Sequence, residues 1–298
     1  MPVERLLGAP WASAHGPRDP RAMLLWALKS GFSGLVAGPA TRPLDWVALK
    51  AQRERLPFKF GAVRVAGVLE ADGRPDQGLC SSNQGEHDTA LRAIQASIAL
   101  CRQLSVPTLI LEPGAPKVPG EIGPVDLGSP SHKWTPELAT TQLARRNAVL
   151  NRALDHACRG LHRLLKGNPD VTFCLTGSRN VLGLGEPRAL ALIFEDQKAP
   201  NLRYWHDAAI AARRKELLLD DQGAWMEAFG TKLAGMTLAD SADGQLYLPP
   251  GAGSVDFGLI ANYRQRTGKP TPVVVELDPS VDAREIPGVH AFLTKWGL

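Results

Sequence analysis

The sequence predicts an α/β protein folded as one closed (β/α)8 barrel. Three observations lead to it. Short apolar, β-rich runs alternate with amphipathic stretches from end to end, and eight such pairs can be counted. The 298 residues suit a barrel of this kind, which needs about 250 before insertions. The runs are continuously apolar, as parallel strands covered on both faces are. A doubly wound open sheet is the second arrangement this rhythm allows.

In order, the first strand is expected at Arg5–Ala9, followed by a helix over Pro20–Ser30. The run Gly34–Pro39 precedes a helix from Pro43 to about Arg55. Strand three is expected in AVRVAGVLE, Ala62–Glu70, before a long helix over Glu86–Leu104. In that helix Leu91, Ile94, Ile98, Cys101 and Leu104 recur at steps of three or four, which builds one buried stripe. Thr108–Glu112 is strand four. Thr135-Pro136 opens another long helix: the threonine hydroxyl can cap an orphan N–H, and the proline has none to lose. Gly167-Asn168-Pro169-Asp170 stops it. Strands five and six are Val171–Leu175 and Leu202–Trp205, with a helix over Pro187–Phe194 between them. Helical material at Ala208–Leu219 and Ala224–Phe229 leads to strand seven, Leu233–Leu238. A glycine-rich loop, a helix from Asp256 to about Arg266, strand eight at Val273–Leu277 and a helix over Asp282–Trp296 follow.

The chain reads as a single domain over residues 1–298. Its stretch 114–134, with Pro116, Pro119, Pro124 and Pro130, is too long for a plain connector. Loops of this length act as lids or binding loops, or are flexible insertions.

Composition excludes several classes. With 44% hydrophobic and 21% charged residues the chain is not disordered. Its 34 Lys+Arg and 30 Asp+Glu leave +4, spread along the sequence, so there is no footprint for nucleic acid or an anionic membrane. The longest apolar run, Met23–Leu28, falls far short of the roughly 20 residues of a membrane span. Charges sit near the N-terminus where a secretory signal would place its apolar core. Cys80, Cys101, Cys158 and Cys174 show no CxxC spacing, so reduced thiols are expected. A cytoplasmic protein is the expectation.

In a (β/α)8 barrel the chemistry gathers at the C-terminal strand ends. Here these carry Glu70, Glu112, Thr176, His206-Asp207, Asp240, and Glu276 with Asp278. An acid at the end of an apolar strand is costly unless solvated, paired or metal-bound. Taken singly, each reads as a strand end turning toward water. Converging on one mouth, the set would suit a divalent cation or acid–base work on a polyol. His206 is expected behind the barrel wall, because adjacent strand residues point to opposite sides. His87 and His132 read as solvated, and Trp205 as core. Arg179 is placed to pair with a phosphate or carboxylate on a ligand. Gly251 and Gly253 could present backbone amides to such a group, a tight turn being the simpler reading.

At these residues the C-terminal half resembles the xylose isomerase-like TIM barrels, which include sugar isomerases, sugar epimerases and endonuclease IV. The stretch Leu248–Leu277 is similar to the family's Pro-Gly-x-Gly loop, an Asp-Phe opening the next helix, and a strand ending in Glu. LRYWHDAAIA resembles the family strand that runs into Asp-x-x-His, and LAGMTLAD the His-x-x-Asp strand. The likeness covers roughly residues 170–280 by motif. It implies a divalent metal held by Glu, Asp, His and Glu from strands five to eight. Carried over, the strand-eight Glu is Glu276 and the strand-six Asp is Asp207, while the other two positions hold Thr176 and Thr237. The helper His falls at Ile210, and the strand-four His of the nuclease-type sites falls at Glu112.

A neutral threonine hydroxyl is a poor ligand for a borderline cation, so the implied site is weakened. A metal-free pocket is the expectation. The alternative is a remodelled set drawing on Asp207, Asp240 and Glu276, with Glu112 beside them, which would favour Mg²⁺ or Mn²⁺. The resemblance implies an isomerase- or epimerase-type enzyme acting on a sugar, sugar acid or related polyol. Glu276 would be its base, Glu112 the opposing acid and Asp207 a hydrogen-bond or metal partner. Arg179, Thr176, Thr237, Gly251 and Gly253 would touch the ligand. The competing expectation is a catalytically silent barrel that binds a polar small molecule or a protein. A nuclease is disfavoured, since neither a histidine-rich cluster nor a basic groove is visible.

Overall fold

The computed structural model describes residues 3–65, 78–120, 123–129, 131–266 and 271–298. Among the described residues ten strands form in chain order: β1 (Arg5–Gly8), β2 (Gly34–Ala37), β3 (Lys59–Arg64), β4 (Thr108–Leu111), β5 (Thr172–Thr176), β6 (Leu202–Asp207), β7 (Leu233–Leu238), β8 (Asp240–Ala242), β9 (Gln245–Leu248) and β10 (Val273–Val275). Eight of them close into a barrel in the order β1-β10-β7-β6-β5-β4-β3-β2, while β8 and β9 pair as a separate antiparallel hairpin. The barrel pairs are all parallel, with helices supplying the crossovers.

Alternation along the strands sorts the side chains. Leu6, Val36, Ala62, Ile110, Cys174, Trp205 and Val274 form one buried cluster inside the barrel. Their chain neighbours, among them Leu7, Leu35, Val63, Leu109, Phe173, Tyr204, Met236 and Val275, belong to the larger core between strands and helices. Two of these side chains press against glycines on other strands. A Cβ on Gly235 would lie 2.1 Å from the Trp205 ring, and one on Gly61 would lie 2.0 Å from Leu6. Trp205 is core, as expected, and His206 lies on the outer side, buried and hydrogen-bonded to the Tyr204 hydroxyl at 2.8 Å. Burial without a countercharge holds the His206 pKa down to about 4.

Several boundaries differ from those expected. Strand three runs over Lys59–Arg64 rather than Ala62–Glu70, and Glu70 lies outside the described residues. The helix after Thr135 is two helices, Pro136–Asn147 and Leu150–Gly167, broken at Ala148-Val149. A short helix, Ala9–His15, follows β1 directly, because Pro10 sits in its first turn where no donor is lost. His87 is buried rather than solvated, its Nδ1 3.0 Å from the Leu79 carbonyl.

The stretch 114–134 is packed rather than open where it is described. Ala115, Val118 and Leu127 join Val181, Leu182 and Leu217 in a satellite core. Backbone hydrogen bonds tie Leu127 to Arg179 and Val125 to Val181. The four cysteines are free thiols. No helix among the described residues is long and apolar enough to cross a membrane.

The interior packing is testable at Gly235. Gly235→Ala should destabilise the barrel by about 1–3 kcal/mol, read from urea unfolding, because Trp205 has no free volume to retreat into. Gly288→Ala, where nothing lies within 4 Å of the new Cβ, is the silent control.

Candidate active site

Two residues beyond the interior cluster, each strand presents its last inward position. Around the ring these are Gly8, Glu276, Thr237, Asp207, Thr176, Glu112, Arg64 and Gly38. One layer therefore carries three carboxyls, one guanidinium, two hydroxyls and two glycines. The glycines make room for it. A Cβ on Gly8 would lie 2.2 Å from a Glu276 carboxylate oxygen, and one on Gly38 would lie 3.1 Å from the Arg64 Cβ.

The ring order fixes who faces whom. β10 and β4 stand four strands apart in either direction, so Glu276 and Glu112 rise from opposite walls. β3 and β7 are opposed in the same way, and Arg64 crosses between them to donate to the Thr237 hydroxyl at 3.0 Å. Thr237 is held from the other side by the Trp205 indole N–H at 2.9 Å. The Arg64 Nε is buried without a partner. Among the salt bridges of the described residues, none within 4.0 Å joins Arg64 to an acid. The carboxyls therefore act on it through space, and a gap separates them from the guanidinium.

Arg64 was absent from the sequence expectations, which carried strand three on to Glu70. The signal that could have found it is parity: Ala62 faces inward, so Arg64 does too. Tyr247, on β9, was also missed. Its φ of 63° is unusual for an aromatic residue, and its carbonyl accepts from the Asp278 N–H at 2.9 Å. Held there, Tyr247 donates to Asp207 at 3.4 Å and lies under the Arg179 guanidinium, 6.0 Å from the ring centroid. Arg179 is itself clamped by two hydrogen bonds to Asp126, at 2.8 and 3.1 Å. Hairpin and long loop thus form a rim above the ring.

Burial is the leading influence on all the acids. It raises the Glu276 pKa to about 7, Arg64 pulling it back and Asp207 pushing it further up. Glu112 is raised too, by desolvation on the mouth wall, against the Ser178 hydroxyl hydrogen bond and Arg64. It nonetheless keeps solvent contact in the open mouth, which moderates the effect. Asp207 is raised by burial against Arg64 and against its bonds to backbone amides and Tyr247. Burial opposes the Arg64 charge, yet Glu276, Tyr247, Asp207 and Glu112 together hold its pKa above the ordinary value.

The alternative metal set of Asp207, Asp240 and Glu276 does not assemble among the described residues. Asp240 is turned away: its two oxygens accept from the backbone N–H groups of Ser241, Val255 and Gly251 at 2.9–3.0 Å. That correction extends to the glycines. The Gly251 amide is consumed by Asp240, and Gly253 is pressed against Ser241 and Asp240, so both hold the loop rather than offering donors to a ligand. Thr176 is fully buried with its hydroxyl unpartnered. Asp207 also caps the helix Ala208–Glu216, accepting from the Ile210 N–H at 3.2 Å. Among the described residues no group of three His, Cys, Asp or Glu side chains is placed to hold a metal ion. The donor set does not fit the divalent cation that the family resemblance implies.

Comparison with solved structures fits this architecture. A D-tagatose 3-epimerase-like protein matches with TM-score 0.67 at 15% identity, covering 99% of this chain and 97% of that one. The 3-keto-D-glucoside 4-epimerase YcjR from E. coli matches with TM-score 0.68 at 11% identity, covering 98% and 99%. An AP endonuclease of family 2 from Brucella melitensis matches with TM-score 0.63 at 13% identity, covering 98% of each. The chain shares the TIM-barrel fold of these proteins. No protein-family model matches it, and no curated protein sequence does. At these identities the likeness is one of fold.

The Glu276 environment predicts a pH signature. Its pKa is about 7 in the folded chain against an ordinary 4.5, so folding binds its proton more tightly. The associated stability is complete below the ordinary value and is lost as pH rises through about 7. Glu276→Gln, which never ionises, should match the wild type near pH 5 and exceed it at pH 8. The gain should reach at most about 3 kcal/mol by urea unfolding. A constant gap across that range would contradict the buried-carboxyl account.

Proposed function

We propose that the barrel moves a proton on a small carbohydrate-like molecule, a sugar, sugar acid or related polyol bearing a carbonyl, in an isomerase- or epimerase-type reaction. The observation that carries this reading is the pair Glu276 and Glu112, two carboxyls of raised pKa on opposite walls of one mouth. A carboxyl that titrates near neutrality serves either as base or as acid at pH 7. The fold adds support, since several structures that share it are named as sugar epimerases.

In this reading ionised Glu276 takes the proton from a carbon beside the carbonyl. The C–H electrons pass into the new C=C bond, and negative charge develops on the carbonyl oxygen. Arg64 supplies the fixed positive charge for that oxygen, with its unpartnered Nε among the donors available. Protonated Glu112 returns a proton to the opposite face, which inverts the carbon. Exchange with water then restores both carboxyls. Tyr247 holds Asp207, and Arg179 with Tyr247 limits the rim through which the molecule enters. The silent-barrel reading has one observation of its own: the Arg64–Thr237 bridge crosses the space a substrate would share.

Solvent exchange separates the two. D-tagatose, D-fructose, D-psicose and L-ribulose are incubated with the protein in D₂O and followed by proton NMR. Deuterium should enter at a carbon next to the carbonyl of at least one sugar. Glu276→Gln and Glu112→Gln should each slow this by about 10²–10⁴-fold. Sugar binding by calorimetry without exchange would establish the silent barrel instead, and neither binding nor exchange would end the carbohydrate reading.

A further inference from the structure

The mouth gathers three acids whose placement among the described residues does not form a cation site, so their charge is met in another way. The position that the resemblance gives to a metal-binding histidine is Thr237, and its hydroxyl is occupied by Arg64 from the opposing strand. Arg64 spans the mouth, and its charge acts on Glu276, Asp207 and Glu112 alike. A guanidinium is a permanent, planar cation with five donors, and it is weakly hydrated enough to sit in such a site. We infer that Arg64 is a built-in replacement for the divalent cation: it occupies the centre of the mouth, neutralises the acids around it and excludes a metal ion from the ring. This goes beyond the proposed proton transfer and stands on the ring geometry whether or not the barrel turns over a sugar.

Charge counting supports the assignment. Arg64 feels Glu276, Asp207 and Glu112 together, and Arg179 also acts on Glu112, so the mouth meets its carboxylates with cations of its own. Removing Arg64 leaves Glu276, Asp207 and Glu112 facing an unfilled centre, with only oxygen donors around it. Such a set suits a hard cation once the side chains rotate inward.

The test uses Mn²⁺ as the probe, measured by isothermal calorimetry and by electron paramagnetic resonance at pH 8. The wild type should show no stoichiometric site. Arg64→Ala and the bulkier Arg64→Met should each gain one stoichiometric Mn²⁺ site that the wild type lacks. Adding Glu276→Gln to either variant should abolish it, and Arg64→Lys, which keeps the charge, should remain without it. A few millimolar guanidinium should compete with Mn²⁺ in Arg64→Ala. If the variants lose structure by circular dichroism, Mn²⁺ should restore it, since the ion would supply the missing charge. The inference is overturned if the wild type binds one Mn²⁺ through Glu276. It is equally overturned if the variants neither bind Mn²⁺ when folded nor recover with it when unfolded.

Discussion

Charge balance in the barrel mouth is the constraint that the rest of the site answers to. Three carboxyls end inward-facing strand positions, and a single guanidinium, Arg64, stands among them. Ionised carboxylates this close repel one another unless a cation or protons intervene. The arginine supplies part of the compensation and raised pKa values supply the rest, with Glu276 at about 7. What destabilises the folded chain at alkaline pH is therefore the same property that equips Glu276 to exchange a proton near neutrality.

The scaffold is organised around keeping that layer in place. Gly8 leaves room for the Glu276 carboxylate and Gly38 for the stem of Arg64, so the absence of two side chains shapes the site as much as the presence of others. Trp205 fills the barrel below and directs its N–H to Thr237, which in turn receives Arg64. Asp240 spends its charge on three backbone amides and so secures the turn between the hairpin and the next helix. Tyr247, its backbone held by the Asp278 N–H, keeps its positive φ and reaches Asp207.

Outside the ring, polar groups also serve the walls. The long loop after β4 carries its own small core and presents Asp126 to Arg179, the residue expected to meet a ligand. Arg179 thereby joins the rim with its charge already paired. The fully buried Arg146–Glu186 pair, at 2.9 Å, locks the start of the helix Pro187–Asp196, whose first N–H groups Glu186 also caps. Breaking one member of such a pair strands a buried charge, so it acts as a rigid fastening for the segment that follows β5.

By itself the sequence determined the eight-fold alternation of strand and helix and the strand ends that carry Glu112, Asp207 and Glu276. These follow from local apolar runs and their termini, which need no knowledge of distant residues. The boundary of β3 did not follow, because apolar residues continue past Arg64 and nothing local marks where pairing with β2 and β4 ceases. Only the tertiary structure set Arg64 opposite Thr237, a partner 173 residues away, and turned Asp240 from the mouth toward backbone amides. The physical reason is that facing across a closed ring depends on strand order and inward parity together, and no stretch of sequence contains both.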